Sequence, residues 1–230
     1  MDSFLTAARQ AWHLLAGFDP EVWRVAFTSL RIASLAAALG AVAGAPLGMA
    51  IAVSKFRGRD ALLVALNTSM AMPTVVIGLF VYALIGRRGP LGPLGLLFTP
   101  SGIVLGEFLL AVPIAASYAL NAVEALDPRL FQTIRSLGTS RWHEAWMIVR
   151  EARFGMAAAL VGAFGRTIAE VGVAMMLGGN IRGFTRTMTT AIALETSKGE
   201  FELGLALGGF LLLLALLVNL GLYALQREAR

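Results

Sequence analysis

No cysteine occurs among the 230 residues, which excludes disulfides and thiolate metal ligation. Histidine is almost as scarce: His13 and His143 are far apart and offer no zinc-ligand spacing. Only two lysines are present, Lys55 in Ser-Lys-Phe and Lys198 in Ser-Lys-Gly. Neither stands in the Gly-Lys-Ser/Thr context that cradles phosphates, so the chain has no nucleotide-hydrolysing loop of that kind. Charge is the largest deficit. Charged residues make up 14% of the chain, against about 25% in soluble domains.

What fills the space is apolar. Hydrophobic residues reach 57% and the mean hydropathy is +0.75. Lipid admits only structures that satisfy their own backbone, so an all-α integral membrane fold is expected. A spanning helix needs about 20 apolar residues, which leaves room for about five or six spans and no soluble domain. Residues 1–230 therefore read as one transmembrane domain. The net charge of +5 is assigned to membrane topology rather than nucleic acid. No secretory signal opens the chain. Phe4, Ala7, Ala11, Leu14 and Leu15 instead predict an interfacial amphipathic helix within residues 1–19.

Asp19-Pro20 is a helix-start pair. The first span is expected over about Thr28–Ser54, with Gly40, Gly44 and Gly48 spaced for close helix approach and Pro46 as an interruption. The others follow at about Ala61–Ile85 (with Pro73), Ser101–Leu126 (with Glu107 and Pro113), Met156–Leu177 (with Arg166 and Glu170) and Leu203–Leu225. Each proline is either a packing kink or a hinge. Five spans place Lys55, Arg57, Arg59, the five arginines of segment 127–155, Arg227 and Arg230 on one side, ten of the nineteen basic residues. That side is the cytoplasm by the positive-inside rule, with the N-terminus and the 178–201 segment outside and the C-terminus inside. Arg87, Arg88, Arg182, Arg186 and Lys198 run against the bias.

Segment 127–155 interrupts the lipid-soluble pattern. Asp127-Pro128 starts a short helix whose apolar face is Leu130, Phe131, Ile134 and Leu137. Gly138 stands where a left-handed C-cap is needed, and Ser140 starts a second helix with Trp142, Ala145, Trp146 and Val149 on its predicted apolar face. Helix, glycine corner, helix is either a basic loop on lipid headgroups or a rigid docking knob.

Within it, Gln132-Thr133-Ile134, Gly138 and Ile148 resemble the cytoplasmic loop of ABC importer permeases, with Gln-Thr-Ile in place of Glu-Ala-Ala and Glu151-Ala152 in place of Leu-Pro. The runs TSLRIASLAAALGAVAGAPLGMAIA, MPTVVIGLFVYALIGRRGPLGPLGLLFTP and GRTIAEVGVAMMLGGNI extend the resemblance to the molybdate/tungstate branch, and GGNIRGFTRTMTTAIALETSKGEF to its tungstate-type members. The resemblance implies an importer pore subunit of the MetI-like kind in a prokaryotic inner membrane. In such systems a coupling helix sits in a groove of a separate ATPase. Carried onto this chain, that role falls to Leu130, Phe131, Gln132, Ile134, Arg135, Gly138, Thr139, Ser140, Arg141, Trp142 and Ile148. The same resemblance implies no cofactor on this chain, ATP and Mg on two ATPase subunits, and an extracytoplasmic substrate-binding protein. Five spans make a thin pore wall, so a second copy about a two-fold axis is expected.

Charges inside spans need partners or water. Arg166 and Glu170, four apart, either fix helix packing or line the route with the guanidinium offered to an oxyanion. Glu107 is expected to pair with Arg166 or Arg31 or to hold a proton, with gating as the alternative role. Thr187, Thr189 and Thr190 with Arg182 and Arg186 are either ordinary loop polarity or an oxyanion or docking contact, and Glu195, Glu200 and Glu202 candidate contacts to the binding protein. An intramembrane enzyme lacks a nucleophile–base pair. A secondary transporter would run on the membrane charges alone.

Overall fold

The computed structural model describes residues 17, 19–136, 138 and 140–228. The interfacial helix expected over residues 1–19 falls almost wholly outside that range, as do Leu137, Thr139 and Arg230. The regular secondary structure of the described residues is helical, without strands.

Helix α1 (Pro20–Val53) starts where the sequence says it should. Asp19 Oδ1 accepts from the Glu21 and Val22 amides at 2.9 and 3.2 Å, and Pro20 occupies the first turn. At 1.5 Å per residue α1, with 34 residues, is about 51 Å long, more than the ~30 Å hydrocarbon core. Pro46 lies within α1, which runs on through it. The expected interruption does not occur. Pro113 is likewise inside a continuous helix, α4 (Pro100–Glu124), begun by Thr99 accepting from the Gly102 amide at 3.2 Å. Gly40, Gly44 and Gly48 form one buried face of α1 against α4. A Cβ on Gly44 would overlap the Val112 carbonyl oxygen, and one on Gly48 that of Ala116. Only glycine permits this backbone approach.

Two of the five expected spans are bent. The second divides into α2 (Arg59–Ala71) and α3 (Thr74–Ile85), meeting at 95°. Pro73 lacks an amide proton and forces Met72 to an extended ψ of 136°, so the helix must stop there. Beyond α3 the 86–99 loop is tied back by the Leu91 amide on Leu84 O at 2.9 Å and the Phe98 amide on Leu177 O at 2.8 Å. The short pair α5 (Pro128–Ser136) and α6 (Arg141–Glu151) follows α4. The fourth span, expected as continuous, is α7 (Arg153–Ile168) and α8 (Gly172–Gly178), bent by 65° around Ala169-Glu170-Val171. Helix α9 (Met188–Lys198) precedes α10 (Phe201–Glu228). Three helices are each long and apolar enough to cross a membrane, and five crossings result when each bent pair counts as one.

One core cluster joins α1, α7, α9 and α10 through Val22, Ala33, Ile168, Met188 and Leu207. Trp23 and Phe210 close it edge to face at 5.6 Å. A second cluster, at the other end of the bundle, seats the α5–α6 corner.

Candidate functional site

Asp127 Oδ1 accepts from the Arg129 amide at 2.8 Å, holding the start of α5. Ile134 is fully buried and Leu130 and Phe131 half-buried, packed with Val123 at the end of α4 and with Ile148 and Ala152. The inward face of α5 is thus the one its periodicity indicates. Arg129, Gln132, Thr133 and Ser136 are exposed on the opposite side. Gly138 turns the chain at φ 62°, in the left-handed region that glycine enters freely. Ser140 then accepts from the His143 amide at 3.4 Å to start α6.

The face of α6 differs from the sequence expectation. Ile148 is buried, Ala145 and Val149 are half-buried, and Trp142 and Trp146 point outward at 83% and 61% exposure. The stripe that packs is continuous with α7, through Ile148, Ala152 and Met156. Gly155 extends the contact, since a Cβ there would overlap Ala122 of α4. Small residues let this stripe approach α4 closely, and bulky indoles on that side would hold the helices apart.

The second group of charged residues lies at the α7–α8 bend. Arg166 Nη1 donates to Glu170 Oε2 at 2.8 Å, the i,i+4 pair read from the sequence. Glu170 Oε1 accepts from the Val173 amide at 3.2 Å, so the same carboxylate serves the first turn of α8. Glu170 is nearly fully buried, but the Arg166 side chain is 38% exposed. One of its five N–H donors meets Glu170 and others stay free to meet an anion. Glu107 does not pair with either expected arginine. Its Oε2 is buried without a hydrogen-bond partner among the described residues, and Arg31 is exposed. The local i,i+4 geometry gives Arg166 to Glu170, while Glu107 interacts electrostatically with both members of that pair.

Thr187, Thr189 and Thr190 are buried rather than exposed on a loop. Thr187 and Thr190 form a reciprocal capping box at the start of α9. Thr189 Oγ1 donates at 2.7 Å to the Glu170 carbonyl, which the bend has released from helical bonding. Sequence reading missed three things here. Ser29 Oγ accepts from the Met188 amide at 2.6 Å. Glu21 accepts from Arg182 Nε at 2.8 Å and lies 3.6 Å from Arg186. Glu195 is buried against Arg186 at 3.8 Å and Lys198 at 3.1 Å, so of the three candidate acidic contacts only Glu200 and Glu202 are exposed. Arg182, Arg186 and Lys198, three of the basic residues that run against the positive-inside bias, thus share two acids, Glu21 and Glu195.

Replacing Glu170 with alanine leaves the Val173 amide without its side-chain acceptor and removes the partner of Arg166. A loss of about 2–3 kcal/mol is expected, read as a lower Tm of the detergent-solubilised protein. Adding Arg166→Leu should recover part of that loss, because an unpaired membrane charge is then absent.

The fold as a whole superposes on a chain of a bacterial alginate ABC transporter, solved in complex with an alginate pentasaccharide-bound periplasmic protein. The TM-score is 0.67 at 16% identity, covering 100% of this chain and 88% of that one. At the sequence level, residues 44–230 match the model of the family described as binding-protein-dependent transport system inner membrane component. The chain belongs to that family. This inner membrane component is 41% identical over 196 residues to a probable anion ABC transporter permease protein of Haloferax volcanii, covering 83% of this chain and 84% of the relative. It is 40% identical over 227 residues to the tungstate uptake system permease protein TupB of Campylobacter jejuni, covering 99% and 95%. With TupB of Peptoclostridium acidaminophilum it shares 34% over 228 residues, covering 99% and 100%. It is a multi-pass membrane protein and a transport component, not an enzyme.

Proposed function

We propose that the chain is the pore subunit of an ATP-driven importer of a tetrahedral oxyanion, tungstate in the first instance. The observation that carries the substrate is the alignment of two tungstate uptake permeases along 99% of the chain. Two copies form the route, two separate ATPase subunits hold ATP and Mg, and an extracytoplasmic binding protein delivers the ion. The N-terminus lies outside and the C-terminus in the cytoplasm, as the distribution of basic residues supports.

The motor's surface is the α5–α6 corner. Gln132 and the other exposed residues of α5 meet the ATPase, and Leu130, Phe131, Ile134 and Ile148 transmit its movement. Support comes from the packing of those apolar side chains on Met49 of α1, Val123 of α4 and Met156 of α7. A push on α5 is thereby shared by three helices, since a packed core does not deform continuously. Arg166 offers its free donors to the ion at the α7–α8 bend, and Glu170 keeps that contact weak by neutralising the guanidinium. Glu107, Thr187, Thr189 and Thr190 hold the bend in shape from behind.

The test is uptake by proteoliposomes containing the chain, its ATPase and its binding protein. Radiolabelled tungstate should accumulate only with ATP, and molybdate less efficiently by kcat/KM. Equal or better molybdate uptake would move the substrate assignment. Uptake driven by a proton gradient without the ATPase would overturn the importer reading.

A further inference from the structure

Helix α2 is the least covered element of the bundle. Leu66 is its only buried residue. Asp60, Val64, Asn67, Thr68 and Ala71 recur at i, i+4, i+7, i+8 and i+11, which is one helical face, and all five are exposed. The helix is anchored at its first residue: Arg59 Nε donates to Ile51 O at 3.3 Å, and the guanidinium pairs with Glu124. From the joined ends of α1 and α4 it runs about 20 Å to the Pro73 break, well into the depth of a bilayer.

Asn67 and Thr68 stand near that inner end. Their side chains make no hydrogen bond among the described residues. Hydrocarbon would leave an amide and a hydroxyl unsatisfied, so this face meets water or protein. The break at its end indicates which. A Cβ on Gly172 would lie 3.0 Å from Thr74 Oγ1 and 3.4 Å from Glu170 Oε1. The two bends of the bundle therefore touch, and Thr74, just beyond the break that ends α2, shares the Gly172 position with the carboxylate that holds the half-exposed Arg166.

We propose that Asn67 and Thr68 line the ion's route on the cytoplasmic side of the two bends. This rests on the pore reading above. Both side chains are neutral donors, able to hydrogen-bond an oxyanion leaving Arg166 without the charge that would trap it. The apolar neighbours Met70 and Met72, also exposed, surround the break and limit the contacts available to the ion there.

The natural absence of cysteine makes the test direct. Asn67→Cys and Thr68→Cys are each compared with Leu213→Cys, an exposed position on the apolar helix α10. The whole complex in proteoliposomes receives a charged, membrane-impermeant methanethiosulfonate on both faces. Only a wet thiol ionises, so the two α2 cysteines should react about tenfold faster or more than the α10 cysteine. Their modification should also stop uptake. Reaction no faster than at Leu213→Cys overturns the assignment. So does a disulfide between the α2 cysteines of two copies without reagent modification, which would make this face a subunit contact. Uptake by the unmodified wild-type complex is measured alongside. If it imports tungstate while the α2 thiols stay dry, only the lining role fails; if it imports nothing, the pore reading itself fails.

Discussion

Gly138→Val is expected to lower ATP-driven uptake by about tenfold while leaving the amount of protein in the membrane unchanged. The backbone at this position has φ 62°. A left-handed conformation costs an L-residue about 1–2 kcal/mol, and a β-branched side chain is among the worst placed to accept it. No steric collision adds to the cost, since a Cβ there meets nothing within 4 Å. The effect is therefore purely one of backbone direction. Helix α5 has nine residues, too few to persist without its tertiary seat. A bias of 1–2 kcal/mol against the corner shifts its population by about a factor of ten. The ATPase then still hydrolyses, but its movement reaches the spans poorly. The ratio of ion transported to ATP hydrolysed is the measurement. Gly138→Asn is the control, because asparagine enters the left-handed region more readily, and most uptake should survive. Equal uptake in Gly138→Val and wild type would remove the corner from the coupling path.

Gly44→Val should act on the opposite quantity, stability, and by a larger amount. The Cβ would overlap the Val112 carbonyl oxygen and press on Ala115 Cβ at 3.0 Å. Two of the three obstacles nearest to it are backbone atoms of α4, which cannot turn aside as a side chain can. The helices would have to separate along the most closely packed seam of the bundle. Overpacking of this kind costs about 3 kcal/mol or more, and the folded, monodisperse fraction in detergent should fall sharply at growth temperature. Gly208→Ala provides the comparison. It lies in α10, where a Cβ meets nothing within 4 Å, and a change of no more than about 1 kcal/mol is expected. A stable Gly44→Val protein would mean that α1 and α4 are not held at this distance in the membrane.

Much of this architecture is written in short-range signals. Asp19-Pro20 and Asp127-Pro128 start α1 and α5 because a capping carboxylate and a fixed φ act within one turn. Leu130, Phe131 and Ile134 announce the inward face of α5, and the four-residue spacing of Arg166 and Glu170 is enough to pair them. Scarcity of charge places the chain in the membrane. Such features depend on a residue and its near neighbours alone.

Other outcomes depended on surfaces distant in sequence. Three prolines look alike along the chain, yet of these only Pro73 divides a helix, whereas α1 and α4 continue through Pro46 and Pro113, where they pack closely on each other. Both faces of α6 carry apolar residues, and the fit of Ala152 and Gly155 against Ala122 decides that Ile148 goes in and the two tryptophans stay out. The buried threonines of α9 serve the Glu170 bend only because α9 returns to it, nineteen residues on from Glu170 to Thr189. In sequence alone, residues 127–155 of this chain reveal the period of their helices, the corner and its charge. Which face touches the bundle is settled by shape, since burial depends on the partner surface as much as on the residue that is buried.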